Sequence, residues 1–297
     1  MKYYLLLVVY SLLVACTSTP EFAFDEQYMM AFENNQKVLL ERRHHYLKLA
    51  GLFPIRAGVN TLGTTDSAHW KVQITDYPDH IGTLYYAPDS LHFAMAHGLK
   101  MQNENGEVFS AASLTLDEAG NSEKFVNGQL SWMVITRGVD KLYLRVWDEQ
   151  NTAVERFQQM DRFALNPMMV FNGSFSYYSE PKQAVVDSKL GFDQPTVFVG
   201  RFSFEHQGQT HELEVGRNGF TMVADPTNSN STYGGGRYMY LDLPQKDSVL
   251  QLDLNLLYNP PCTFSEFTTC LIPPAGNRLP FAVEAGELWD NERDNEH

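Results

Sequence analysis

The hydrophobic pattern divides the chain into an apolar leader, one helix-like segment and a long succession of short strands. From Asp25 to Ala50 the apolar side chains Tyr28, Phe32, Leu39, Tyr46 and Ala50 recur at helical spacing, which predicts an amphipathic helix over 25–52, ended by Gly51 and Pro54. Beyond Pro54 the period changes from 3.6 to 2. Strands are predicted at Trp70–Thr75, Thr83–Ala87, Leu91–Ala96, Leu130–Thr136, Lys141–Trp147, Met169–Tyr178, Thr196–Glu205, Thr210–Val215, Phe220–Ala224, Arg237–Leu243 and Val249–Leu254. They are short, rich in β-branched and aromatic residues, and separated by Gly, Pro, Asn or Asp. The expected fold is mainly β, with one or two antiparallel β-sandwich-like units preceded by the helix. Strand density falls around Asp148–Pro167, so the β-rich part divides into an N-terminal region, 53–150, and a C-terminal region, 165–290.

The first residues carry a different signal. Lys2 precedes an apolar run from Tyr3 to Ala15, the length of a signal-peptide core and too short to cross a bilayer. Leu13-Val14-Ala15-Cys16 then resembles a bacterial lipobox, which implies cleavage after residue 15 and acylation of Cys16. Residues 16–24, beginning Cys16-Thr17-Ser18-Thr19-Pro20, would form a polar leash. The expectation is an exported bacterial membrane lipoprotein, and the lack of an acidic residue directly after Cys16 favours the outer membrane.

Composition narrows the partners. Hydrophobic residues make up 43% of the chain and charged residues 20%, enough for a sizeable core in the mature protein. The net charge of −14, from 22 basic and 36 acidic residues, argues against nucleic acid. The membrane is expected to be met through the anchor alone.

Tyr258 to Glu287 contains two Cys and five Pro, too many prolines for a helix or a central strand. A long loop held in one shape is implied, and fixing it costs conformational entropy that packing or a crosslink must offset. With Cys16 acylated, Cys262 and Cys270 remain as a pair that an oxidising compartment can bridge; a buried pair of reduced thiols is the alternative. Upstream, Gly234-Gly235-Gly236-Arg237 could turn successive N–H groups toward an anion, with Arg237 as a two-donor fork. The same residues also describe a glycine-built turn in which Arg237 pairs with Asp225 or Asp242. With Gly208-Gln209 as a two-residue turn, His206 and His211 become a cross-strand pair, with Glu205 and Glu212 on the opposite face.

Asp225, Thr227, Thr232-Tyr233-Gly234-Gly235-Gly236-Arg237-Tyr238, Leu252-Asp253-Leu254-Asn255, Tyr258-Asn259-Pro260-Pro261-Cys262, Cys270, Pro273-Pro274, Asn277-Arg278-Leu279-Pro280 and Ala285-Gly286-Glu287 follow one another in an order that resembles the domain of unknown function 1684 family. Weaker similarity reaches back over most of 45–287. The family brings no established activity. Where it usually has an aromatic and an Arg in a D-F-N-R run, this chain has Leu254 and Leu256, so any anion-binding role of that Arg is absent here.

No complete catalytic signature, cofactor motif or metal-ligand set stands out, and catalytic residues stay unassigned. The leading expectation is a non-enzymatic envelope protein binding a small anionic or carbohydrate ligand, or a protein partner. Its candidate site is Asp225, Tyr233, Arg237, Asn259, Asn277 and Arg278. Of the two arginines, Arg278 is expected to brace the proline loop and Arg237 to face the ligand. A hydrolase using Asp225, Arg237 and Arg278 is the first alternative, and a purely structural envelope assembly factor the second.

Overall fold

A computed structural model describes residues 22–289 except 139, 189, 190, 192 and 193. The apolar leader and Cys16 lie outside the described residues. The chain is mainly β, with one long N-terminal helix and several mostly antiparallel sheets.

Helix α1 spans Glu26–Leu47. The Asp25 carboxylate caps its first turn by accepting from the Tyr28 N–H at 2.8 Å. Leu39, Arg43 and Leu47, four residues apart, form its buried stripe. The helix stops short of the expected Gly51. Residues Leu49–Pro54 instead form a strand paired with Lys141–Asp148, because hydrogen bonding to a sheet edge overrides the local helical period. Gly51 lies within that strand, where a Cβ would meet the Phe53 ring at 2.2 Å.

The first β-rich part stacks two sheets. One runs Leu49–Pro54, Lys141–Asp148, Leu130–Arg137, Phe125–Asn127, Met101–Asn103, Val108–Phe109; the other Trp70–Lys71, Gly58–Gly63, His80–Ala87, Ser90–Met95, Ala111–Ser113. Alternate residues of both, among them Leu84, Phe93, Trp132, Leu144 and Val146, meet in one core. The predicted Trp70–Thr75 strand is cut to two residues paired in parallel with Gly58–Gly63, although Val72 and Ile74 keep their buried alternation.

The second β-rich part holds a four-stranded sheet in the order Gln209–Gly216, Gln194–His206, Val170–Val186, Ser248–Asp253. A hairpin of Phe220–Val223 and Arg237–Tyr240 lies over the same core as Phe175, Phe202, Leu213 and Leu252. Val170–Val186 runs past the predicted end at Tyr178, because Pro181 falls where the ladder shifts register between Tyr177 and Lys182 and needs no N–H donor. Between the two parts stands a short helix, α2, Ala153–Arg156.

One register differs from expectation. The hairpin turn is Gln207-Gly208, both at positive φ (51° and 74°), so His206 pairs with Gln209 and His211 with Phe204. The two imidazoles remain on one face as diagonal neighbours, with ring centroids 6.3 Å apart, and the Glu residues face the other way.

Candidate functional site

Asp225 follows the strand Phe220–Val223 and starts a turn that its own side chain holds. Its Oδ1 accepts from the Thr227 N–H at 2.9 Å, the Thr227 hydroxyl at 2.6 Å and the Val283 N–H at 3.0 Å. Its Oδ2 takes the Arg237 Nη2 at 3.0 Å. That nitrogen also donates to the Val283 carbonyl at 2.9 Å, while Nη1 donates to the Ala285 carbonyl. Both charged side chains are 0% exposed. Burial pulls the Arg237 pKa down, and the Asp225 and Glu287 charges oppose the shift.

Arg237 is therefore a brace for the proline loop, paired with Asp225 as in the glycine-turn reading, and not the ligand-facing fork expected of it beside a bracing Arg278. The glycine nest is not built either: of the three consecutive glycines only Gly236 takes a positive φ, 82°, and a Cβ there would meet Pro273 Cγ at 2.5 Å. Arg278 reverses as well, since its side chain is exposed. Asp225, Arg237 and Arg278 thus do not converge as a hydrolytic site.

Asn277 is spent on backbone, and Asn259 is tied through its amide nitrogen and its own N–H. Asn277, fully buried, donates its amide to the Glu214 and Met222 carbonyls at 2.9 and 2.8 Å and accepts from the Glu214 N–H at 2.8 Å. Asn259 donates its amide to the Leu288 carbonyl at 2.8 Å, and its own N–H reaches the Glu287 carboxylate at 2.7 Å. Tyr233 is half-buried, its ring 5.4 Å from that of Trp289 and its hydroxyl 3.6 Å from Cys262 Sγ. The Cys262 and Cys270 Cα atoms are 5.9 Å apart with their sulfurs apposed, as a bridge requires.

A second buried node escaped the sequence reading. Glu287, fully buried, accepts from Arg43 of α1, from Arg162 Nη1 at 3.2 Å and from the Asn259 N–H. Arg162 continues to the Asn255 carbonyl, and Asn255 is tied to Asp253 and Asn166. The signal was present in the helix: Arg43 interrupts an apolar stripe at the fourth residue from both Leu39 and Leu47.

With the polar cluster closed, the open feature is aromatic. A cavity of about 330 Å³ lies between α1, the Phe220–Val223 hairpin and the proline loop, walled by Tyr46, Tyr238, Tyr240, Tyr258 and Phe220. Tyr238 and Tyr240 share a strand face, and Tyr258 pairs back onto Tyr238 through its backbone. The Tyr240 and Tyr258 rings are parallel within 10° at 6.4 Å, and Tyr258 stands perpendicular to Tyr238 at 6.1 Å. Tyr238 donates its hydroxyl to the Leu271 carbonyl at 2.6 Å. Burial raises the pKa of Tyr46, Tyr238 and Tyr258, so these phenols stay neutral donors at physiological pH. Asn259 also lines the cavity, and its Oδ1 is buried without a hydrogen-bond partner among the described residues. The lining holds no carboxylate, imidazole or thiol among the described residues.

Residues 155–288 match the family model described as "Protein of unknown function (DUF1684)". That span is narrower than the 45–287 expected, covering the second β-rich part and both buried nodes except Arg43. That description names no activity. No curated protein matches the chain. Among solved structures, a solution NMR structure of the uncharacterised protein from gene locus rrnAC0354 of Haloarcula marismortui is 27% identical, covering 47% of this chain and 80% of its own, with a TM-score of 0.40.

Proposed function

We propose that the protein is an exported, lipid-anchored binding protein that holds a small ring-bearing molecule, a sugar or an aromatic compound, in the tyrosine-walled cavity. One observation carries this reading: four tyrosines from three separate stretches of chain enclose a space within the range of small-ligand pockets. Their faces suit the apolar side of a sugar or aromatic ring, and hydroxyls at their tips suit its polar edge. The unpartnered Asn259 oxygen supplies an acceptor for a ligand hydroxyl. Binding rather than hydrolysis is favoured because the cavity wall offers no general base and Asp225 is already fully bonded.

Anchoring at Cys16, with the outer membrane as the proposed location, is supported by the Leu13-Val14-Ala15-Cys16 run and the polar leash after it. Cell fractionation of wild type and Cys16→Ser tests it: acylated protein in the membrane for the first and unprocessed or soluble protein for the second are expected. An unmodified mature terminus elsewhere overturns it.

The binding reading is tested on the full mature chain by thermal shift and tyrosine-labelled NMR against mono- and disaccharides and aromatic alcohols. A rise in Tm with perturbed resonances of Tyr238, Tyr240 or Tyr258 is expected, and its loss in Thr269→Trp, which fills the cavity from its rim. If no compound produces a response, or if Thr269→Trp leaves it intact, the reading fails and a structural envelope factor takes its place.

A further inference from the structure

One wall of the tyrosine-lined cavity is a segment closed by a crosslink. Pro261, Phe264, Thr269 and Leu271 line the cavity, and all four lie between or next to Cys262 and Cys270. Both ends of the segment are fixed to the body. Tyr258 pairs its backbone with Tyr238, the Leu271 carbonyl accepts the Tyr238 hydroxyl at 2.6 Å, and the Ile272 N–H reaches the Asp187 carbonyl at 2.9 Å. Between those ends the attachment is sparse. Among the described residues, the hydrogen bonds of residues 263–269 all stay within 260–270, as from the Thr263 N–H to the Pro260 carbonyl at 3.0 Å and from the Thr268 hydroxyl to the Ser265 carbonyl at 2.9 Å. The buried Phe264 ring packs with Leu47, Met160 and Trp289. A second groove, of about 390 Å³, is lined by Phe264 to Phe267 and by Leu47, so the segment borders two open spaces and has room to move.

We propose that Cys262 and Cys270 form a thiol-exchange latch on this cavity: bridged, they hold the wall closed around a ligand, and a dithiol reductant opens it through Cys262. The inference rests on the cavity reading for its purpose, while its chemistry does not need a ligand. Cys262 is the half-buried partner and Cys270 is 4% exposed, so an incoming thiolate reaches Cys262 first. Its attack forms a mixed disulfide at Cys262 and breaks the Cys262–Cys270 bond, whose electron pair goes to Cys270 Sγ. That sulfur accepts the Cys262 N–H at 2.8 Å, a donor already placed to stabilise the departing thiolate, whereas the Tyr233 hydroxyl stands 3.6 Å from Cys262 Sγ. The Cys270 thiolate then takes a proton from water. The reductant's second thiolate displaces Cys262, which is protonated in turn, and the reductant leaves as a disulfide. The protein gains two electrons and two protons, and exchange with a disulfide oxidant runs the same steps backward to close the latch. Once open, the segment keeps the N–H to sulfur contact at its neck but loses the covalent hold on residues 263–269.

Partial reduction of the full mature chain by glutathione, quenched with acid and alkylated, tests the chemistry. Peptide mass mapping is expected to find glutathione on Cys262 and the alkyl label on Cys270, at least about tenfold more often than the reverse. NMR reads the wall without a ligand: on adding dithiothreitol, resonances of residues 260–272 and the rings of Tyr238, Tyr240 or Tyr258 should shift, while those of Leu130–Arg137 and Gln209–Gly216 stay in place. The double variant Cys262→Ser/Cys270→Ser should show the reduced pattern from the start and ignore dithiothreitol. Benzyl alcohol and glucose report the consequence, since whichever binds the bridged protein should bind the reduced one at least about fivefold more weakly. Glutathione trapped mainly on Cys270, or a bridge that yields only in denaturant, overturns the latch. So do unmoved tyrosines, equal affinity of the two forms for a bound probe, or shifts spread through every strand, which would make the bridge a brace for the whole region. If neither probe binds the bridged form while the trapping and the tyrosine shifts come out as expected, the cavity reading falls and the thiol-controlled wall stands.

Discussion

Arg43 donates from the N-terminal helix to the carboxylate of Glu287, 244 residues further along the chain, and both side chains are buried. The contact joins the helix to the end of the proline loop. Its two sides are not equivalent. Removing Arg43 leaves Glu287 with Arg162 and the Asn259 N–H, whereas removing the Glu287 charge leaves buried Arg43 and half-buried Arg162 without a counter-charge. Breaking a buried pair from one side costs about 3–5 kcal/mol. Glu287→Gln is therefore expected at the upper end and Arg43→Ala at the lower, measured by urea unfolding, with faster amide exchange along Glu26–Leu47 in both. Equal small losses in the two variants would show that the node does not hold the helix.

Arg237 and Arg278, the two arginines of the candidate site, should differ in the opposite sense from the sequence expectation. Arg237 bonds Asp225 and the Val283 and Ala285 carbonyls from a planar fork that a single ammonium cannot reproduce. Arg237→Lys is expected to cost about 3 kcal/mol, a fall in Tm of roughly 10 °C. Arg278 is exposed, and Arg278→Lys should stay within about 0.5 kcal/mol of wild type. Thermal denaturation of both variants decides it, and a tolerant Arg237→Lys protein would refute the brace.

Why Arg237 was expected to face a ligand is a matter of range. Gly234-Gly235-Gly236-Arg237 has the same local appearance whether it cradles an anion or braces a loop; what decides is the arrival of the Val283 and Ala285 carbonyls, 46 and 48 residues later. Alternation, by contrast, acts within a strand, and so Leu130–Arg137, Lys141–Asp148 and Gln209–Gly216 fall within a residue or two of their predicted limits. Leu49–Pro54 was hidden because its pairing partner lies some ninety residues away and its apolar residues continue the helical pattern. The cavity is harder still to read, since Tyr46, Tyr238, Tyr240 and Tyr258 come from a helix, a hairpin and a loop. Each tyrosine is unremarkable in its own stretch of sequence.

Cys262 and Cys270 are expected to be bridged in the exported protein. Mature chain lacking Cys16, unfolded without reductant, should show no reactive thiol. Reduction should lower stability by roughly 2–3 kcal/mol, the entropy of closing so short a loop. Because the Cys262 N–H also donates to Cys270 Sγ at 2.8 Å, the loop should keep part of its shape when reduced. Two titratable thiols in protein purified under oxidising conditions would refute the bridge.

Glu149 should give the protein an acid-sensitive tie between the helix and the first β-rich part. Partial burial pushes its pKa up, but hydrogen bonds from Ser131, Lys124 and Lys48 outweigh that and hold it down at about 2. Lys48 caps the C-terminal end of α1, and Lys124 also lies 4.8 Å from the centre of the Trp147 ring, so the carboxylate gathers the helix end and the sheet into one cluster. The folded pKa lies below the unfolded value of 4.5, so the stabilisation is complete above pH 4.5 and is lost as the pH falls through about 2. Glu149→Gln keeps the shape and can still accept from Ser131, but it does not titrate. Urea unfolding of both proteins across that range should find the wild type more stable above pH 4.5 and the two curves converging toward pH 2. Both lysines and the glutamate are about one-third exposed, so added salt should narrow the gap above pH 4.5. Curves that stay parallel throughout would mean that Glu149 carries no depressed pKa and that the cluster contributes packing alone.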